Sequence, residues 1–172
     1  MPGRLEIVQE TPRVILDGAH NAQKAEALAT ALPAIVSGTN QVILVLGILE
    51  SKDDHAILTP LLPLAAELIV TRPRVYAKPG RDPHALAAAA RHAGFTGPIL
   101  VEDEPKDAIA AALARAASVP DGTVLVTGSL YLVGNVRGRW YPDEEIVLQR
   151  TPWPRRSWQT APAPAGSAYN SL

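Results

Sequence analysis

Short apolar runs alternate with amphipathic stretches along most of this chain, and the alternation predicts an α/β fold. Leu5 to Val8 and Arg13 to Leu16 are brief apolar runs separated by Gln-Glu-Thr-Pro, a hairpin pattern with Pro12 in the turn. From Ala22 to about Val36 the apolar positions Ala25, Leu28, Ala29, Leu32 and Ile35 follow helical spacing and leave Gln23, Lys24 and Glu26 for solvent. Ser37 to Asn40 ends that helix. Gln41 to Leu46 is then apolar on both faces, as a central parallel strand requires. The alternation repeats with a polar turn at Gly47 to Asp54, a helix near Ala56 to Ala66 that Pro60 and Pro63 should shorten or kink, and a strand at Leu68 to Thr71. A Pro/Arg-rich loop from Arg72 to Asp82 leads to helix Ala85–Ala93, strand Pro98–Val101, helix Asp107–Ala117 and strand Thr123–Val126. Strands alternating with helices imply a mostly parallel sheet covered on both faces, with an antiparallel hairpin strand at the N-terminus and ligands outside the carboxyl ends of the strands. Beyond Tyr141-Pro142 the pattern thins, and residues 155–172, with the run Ala161-Pro-Ala-Pro-Ala-Gly-Ser-Ala168, are expected to be a disordered tail.

Two strand exits carry the candidate chemistry. In Val14-Ile-Leu-Asp17-Gly18-Ala19-His20-Asn21 an apolar strand empties into an Asp-Gly turn with a His-Asn pair at the start of a helix. A carboxylate at that position can hold ribose hydroxyls or a cation; Asp17 and His20 can equally cap and start the helix. Thr123-Val-Leu-Val-Thr127-Gly128-Ser129-Leu130-Tyr131 is a second exit, where Ser129 is either a ligand hydroxyl or the start of the next helix. It is not the Gly-x-Ser-x-Gly elbow of a hydrolase, and Asp17, His20 and Ser129 do not make a triad on sequence grounds. Lys52-Asp53-Asp54 reads as a charged helix start, and Arg72, Arg74, Lys78 and Arg81 as a basic loop, solvated or facing phosphate or carboxylate groups. His55, His84 and His92 lack metal-ligand spacing.

Composition narrows the classes. The 172 residues suit one domain with an aliphatic core, at 47% hydrophobic but only 5% aromatic residues. A formal net charge of −1 argues against nucleic-acid binding, and Trp153-Pro-Arg-Arg-Ser-Trp158 is too short to suggest otherwise. With no cysteine there is no disulfide framework, thiolate metal site or thiol nucleophile. The sequence carries no apolar leader and no membrane-length apolar run, so a cytoplasmic protein without membrane association is expected. There is no Gly-x-x-x-x-Gly-Lys-Ser/Thr loop and no Gly-x-Gly-x-x-Gly after the first strand, so triphosphate binding would need another domain.

Five blocks in order, Pro2-Gly-Arg-Leu-Glu6, Leu16-Asp-Gly-Ala-His-Asn21, Leu46-Gly-Ile-Leu with Lys52-Asp53, Val126-Thr-Gly-Ser-Leu-Tyr-Leu-Val-Gly134 and Tyr141-Pro-Asp-Glu-Glu-Ile146, closely resemble the carboxy-terminal domain of folylpolyglutamate synthase and dihydrofolate synthase, a branch of the Mur ligase superfamily. The resemblance implies a Rossmann-like three-layer sandwich over residues 1–154 and a part in ATP-dependent addition of L-glutamate to folate or dihydropteroate through an acyl phosphate. It implies that Arg4 and Asp17 bind nucleotide, that His20 and Ser129 act at the reaction centre and bind glutamate, and that Tyr131 joins the glutamate pocket. ATP and Mg²⁺ are the implied cofactors, with the Mg²⁺ ligands and phosphate loop on an amino-terminal ATPase domain that is absent here and would act in cis or in trans. The chain alone is therefore expected to be inactive. Ala22 departs from the family, which usually has Pro after the His-Asn pair. A non-catalytic ligand-binding or regulatory module is the alternative, and a ligase acting on cell-wall precursors is a third.

Overall fold

The computed structural model of the chain describes residues 2–36 and 42–154. The turn expected at Ser37–Asn40 and the tail expected at 155–172 lie outside the described residues. Six strands, β1 (Glu6–Glu10), β2 (Arg13–Leu16), β3 (Val42–Leu46), β4 (Glu67–Val70), β5 (Ile99–Val101) and β6 (Thr123–Thr127), form one sheet in the order β1-β2-β6-β3-β4-β5. Only the hairpin pair β1–β2 is antiparallel; every other neighbouring pair is parallel. β6, the last strand in the chain, sits between β2 and β3.

Five helices follow the strands: α1 (Ala22–Ala31), α2 (Asp54–Leu61), α3 (Pro83–His92), α4 (Pro105–Ala117) and α5 (Leu130–Arg137). Alternate strand residues face opposite layers. Ile15, Leu44, Leu46, Leu68, Val70 and Leu125 pack in one cluster with Leu28 of α1, Leu58 of α2 and Leu86 of α3. The intervening residues, among them Val14, Ile43, Val45, Ile69, Val124 and Val126, are equally buried, and α4 and α5 cover that face. This is the three-layer sandwich with a mostly parallel sheet that the apolar runs predict, its N-terminal hairpin included.

Helix α1 starts at Ala22 as expected, whereas α2, α3 and α4 start two residues earlier than the apolar periodicity indicates, for reasons of local chemistry. Asp53 accepts the Ala56 N–H and caps α2, Asp82 accepts the Ala85 N–H and caps α3, and Pro83 and Pro105 open α3 and α4 at first-turn positions where no N–H is needed. Pro60 lies inside the last turn of α2, which is only eight residues long, and Pro63 sits in the single tight turn Leu62–Leu64 that follows. Helix α5, eight residues long with Gly134 inside it, follows Ser129, where the sequence offered a helix start without giving its extent. These elements belong to one compact unit, Met1–Arg137. A second unit begins at Gly138 and carries α6 (Asp143–Gln149), whose first turn holds Asp143, Glu144 and Glu145, a charge that complements the helix dipole.

Candidate functional site

Because β6 lies between β2 and β3, the turns leaving these three strands meet at one edge of the sheet. The Asp17 N–H donates to the Val126 carbonyl at 2.9 Å and the Gly47 N–H to the Thr127 carbonyl at 3.3 Å. Asp17-Gly18, Gly47 and Gly128-Ser129 thus stand side by side at the point where strand order reverses, the usual ligand position in such sheets. Gly18 lets Leu130 lie close over the turn: a Cβ would fall 2.1 Å from Cδ2 of Leu130, and that exposed side chain would have to move aside.

Asp17 is not the helix cap. Asn21 caps α1, its side-chain oxygen accepting the Lys24 N–H at 3.0 Å. Asp17 instead ties two chain segments together, Oδ2 accepting the Leu5 N–H at 2.9 Å and Oδ1 the Ala19 N–H at 2.8 Å. Each oxygen keeps a lone pair for a further donor. The Leu5 contact holds a tight turn in which Gly3 and Leu5 both have positive φ, 67° and 43°. Glu6 fixes the other side of that turn by accepting the Gly3 N–H at 2.8 Å, and it forms a fork with Arg137 of α5, whose Nη2 lies 2.8 Å from Oε1. The Glu6 and Arg137 side chains are only 6% and 13% exposed. Arg4 is thereby presented on a braced turn, with no hydrogen-bond or ion-pair partner for its own guanidinium among the described residues.

Two clefts flank Leu130, which is 52% exposed and lines both. The first, about 340 Å³, has Arg4, Asp17 and Lys24 on its polar side and Leu5, Ala27, Leu28 and Ala31 as an apolar wall. The second, about 350 Å³, is lined by His20, Leu49, Lys52, Lys78, Gly128, Ser129, Leu130 and Tyr131. It contains no carboxylate. All five residues singled out in the sequence line these clefts: Arg4 and Asp17 the first, His20, Ser129 and Tyr131 the second.

Within the second cleft Ser129 is 2% exposed, and its Oγ accepts the Tyr131 N–H at 3.1 Å, which leaves the hydroxyl proton available to a ligand. His20 Nδ1 lies 2.7 Å from the Gly18 carbonyl, an acceptor only, so Nδ1 carries a proton. Nε2 then accepts from Lys24 Nζ at 3.3 Å. Lys24, solvent-facing by its place on α1, therefore reaches from the first cleft to the histidine of the second. Asp17, His20 and Ser129 each bond elsewhere, so no hydrolytic triad forms.

A sequence profile of the Mur ligase glutamate ligase domain matches residues 3–130. The chain belongs to this family. It is 36% identical over 141 residues to a probable bifunctional folylpolyglutamate synthase/dihydropteroate synthase of Haloferax volcanii, covering 81% of this chain and 16% of that protein. It is 36% identical over 137 residues to a folylpolyglutamate synthase of Lacticaseibacillus casei, covering 79% and 29%. A Mycobacterium tuberculosis folylpolyglutamate synthase crystallised with ADP and AMPPCP superposes with a TM-score of 0.74 at 31% identity, over 83% of this chain and 33% of that one. This glutamate ligase domain thus spans a third or less of the relatives it matches. None of its described helices is long and apolar enough to cross a membrane.

Of the two lysines that line the second cleft, Lys78 belongs to the basic loop read from the sequence as solvated or facing phosphate or carboxylate groups, whereas Lys52 reads there only as part of a helix start. Asp53 and Asp54 do belong to a charged helix start, capping α2 and pairing with Arg81 at 2.6 Å, but Lys52 beside them lines the cleft. The basic loop of the glutamate ligase domain is likewise divided. Arg72 bonds Asp82 at 3.0 Å and Asp103 at 2.8 Å, and Arg74 bonds Asp103 at 2.5 Å and also Glu104. Hydrogen bonds from Arg72 and then Arg74 hold the Asp103 carboxyl below the usual carboxylate range, and the Ala85 N–H followed by Arg72 does the same for Asp82. A carboxyl with a depressed folded-state pKa stabilises above its unfolded pKa and loses that contribution as pH falls through the folded value. The arginine staple is accordingly intact at neutral pH and loosens only in acid.

Proposed function

We propose that residues 1–154 form the carboxy-terminal domain of an ATP-dependent ligase that adds L-glutamate to folate or dihydropteroate, completing the nucleotide site and binding the amino acid. The observation that carries this reading is the pair of clefts divided by Leu130, one offering a guanidinium without a partner among the described residues and a carboxylate beside an apolar wall, the other lined by cations and by no described carboxylate. The first suits a nucleoside phosphate: Asp17 can accept ribose hydroxyls, Arg4 can meet phosphate oxygens, and Leu5, Leu28 and Leu130 can bury apolar ligand surface. The second suits an anionic amino acid, with Ser129 donating to a carboxylate and the lysines compensating charge.

Bound ATP would supply the phosphoryl group that converts the acceptor's carboxylate to an acyl phosphate. The residues of this chain would orient the amine of glutamate toward that carbon and shield it from water. His20, held as the Nδ1-protonated tautomer, lines the second cleft with Nε2 turned to Lys24 of the first, and would help place the amine and the phosphate. Among the described residues no group of three or more His, Cys, Asp or Glu side chains is arranged to hold a metal ion, and we assign the Mg²⁺ ligands and phosphate loop to an ATPase domain supplied in cis or in trans.

Phosphate release dependent on ATP, L-glutamate and dihydropteroate or tetrahydrofolate tests the reading, with this chain alone and joined to an ATPase domain. Activity is expected only in the joined protein; a folded joined protein without activity would favour a ligand-binding module. In the active form Ser129→Ala should raise the KM for glutamate about tenfold with little change for ATP, the loss of one hydrogen bond to a charged group. Asp17→Ala should weaken nucleotide binding and also lower stability by about 1–3 kcal/mol, because it strands the Leu5 and Ala19 N–H groups. Urea denaturation beside nucleotide titration separates the two effects.

A further inference from the structure

The loop between β4 and α3 carries four cations, and only one of them lacks a carboxylate among the described residues. Arg72, Arg74 and Arg81 are each closed by ion pairs. Lys78 donates instead to a neutral partner, the Tyr131 hydroxyl at 2.8 Å, with its ammonium 5.1 Å from the ring centroid. The phenol orients the lysine without neutralising it, and the ammonium lines the cleft of Ser129 and Lys52.

The loop that carries Lys78 is also held on both flanks. Asn135 of α5 bonds both backbone groups of Arg74, accepting its N–H at 2.8 Å and donating to its carbonyl at 2.9 Å. Just beyond Lys78, Pro79 accepts the Glu50 N–H at 3.0 Å and Gly80 pairs with Leu49 in an isolated bridge. The loop is thus bonded to the turn that bears Lys52 and to the helix that bears Tyr131. A charge fixed by this many contacts has little ordering entropy left to lose when a ligand binds.

Resting on the reading of this cleft as the glutamate site, we propose that Lys78 reads the side-chain carboxylate of the incoming amino acid and sets the preference for glutamate over its amide. The α-carboxylate is bonded to the same carbon as the attacking amine, so it must stay near the sheet edge, where buried Ser129 and His20 stand. The side-chain carboxylate lies further along the chain and reaches the exposed outer wall, where Lys78 meets it. Glutamine, equal in size but uncharged, gains nothing from the unneutralised ammonium.

The test is titration of the 172-residue chain with L-glutamate and with L-glutamine at constant ionic strength, followed by amide chemical shifts at Ser129. The unmodified chain should bind glutamate at least about tenfold more tightly than glutamine, Lys78→Met should reduce that preference to within about threefold by weakening glutamate alone, and Lys78→Arg should keep most of it. Lys78 is exposed, so neither variant threatens the fold. If Lys78→Met keeps its glutamate preference while Ser129 still responds, the proposal fails and the glutamate site stands. If glutamate leaves Ser129 unmoved in the unmodified chain, the reading of the cleft fails, and the proposal with it.

Discussion

Arg137→Ala is expected to lower the unfolding free energy by about 3–5 kcal/mol, the range for removing one partner of a buried ion pair. Glu6 would keep its place under the Gly3 turn and lose the guanidinium that compensates it. In a domain of this size that corresponds to a fall in Tm of roughly 6–20 °C. The double change Glu6→Leu with Arg137→Leu separates charge from packing, since apolar replacement of both partners of a buried pair often restores stability. Urea denaturation of the two proteins is the measurement. If the single and double variants lose the same amount, the effect is one of volume and the ion-pair account is wrong. A functional consequence is also expected: with the Gly3 turn loosened, Arg4 loses its fixed position and nucleotide affinity should fall in the folded fraction.

Gly128→Ala is expected to cost about 2–4 kcal/mol, combining backbone strain with displacement of packed neighbours. Gly128 has φ of +99°, and a Cβ there would lie 2.7 Å from the Gly47 carbonyl oxygen and 2.8 Å from Cδ1 of Leu46. The carbonyl cannot retreat cheaply, because the Gly47 N–H is bonded across to Thr127. The strain would be relieved by moving the turn that carries Ser129, so glutamate affinity should fall along with stability. Gly134→Ala provides the contrast. Nothing lies within 4 Å of a Cβ at that position in α5, and alanine is the better helix former, so stability should hold or rise by up to about 1 kcal/mol. Equal midpoints for the two alanine variants would refute the argument from Gly128.

The strands could be read from the sequence because β3 and β6 are buried on both faces and so are written as unbroken apolar runs. The Asp17 turn was legible for a related reason: a carboxylate and a glycine directly after such a run mark a strand exit, where the carboxylate either caps the next helix or faces a ligand. The division of labour inside that turn was not. Which side chain caps α1 depends on where the backbone goes after Gly18, and Asn21 takes that role while Asp17 bonds to Leu5, twelve residues earlier in the chain. Glu6 stood in a quoted motif without an evident reason, and its reason is Arg137, at the far end of the sequence. Lys52 read as a helix-start charge and Lys78 as one of four loop cations that could face solvent or an anion, and nothing local to either shows that a bridge between Leu49 and Gly80 brings their loops together.

The sequence by itself thus determined the alternation of strands and helices, the hairpin, and the two strand exits that bear Asp17, His20 and Ser129, because period, burial and turn chemistry are properties of neighbouring residues. Only the tertiary structure decided that β6 enters between β2 and β3, that Leu130 parts the resulting edge into two clefts, and that three of the loop's four cations pair with carboxylates while Lys78, among the described residues, does not. Those outcomes depend on contacts between residues dozens of positions apart, which pattern along the chain does not encode.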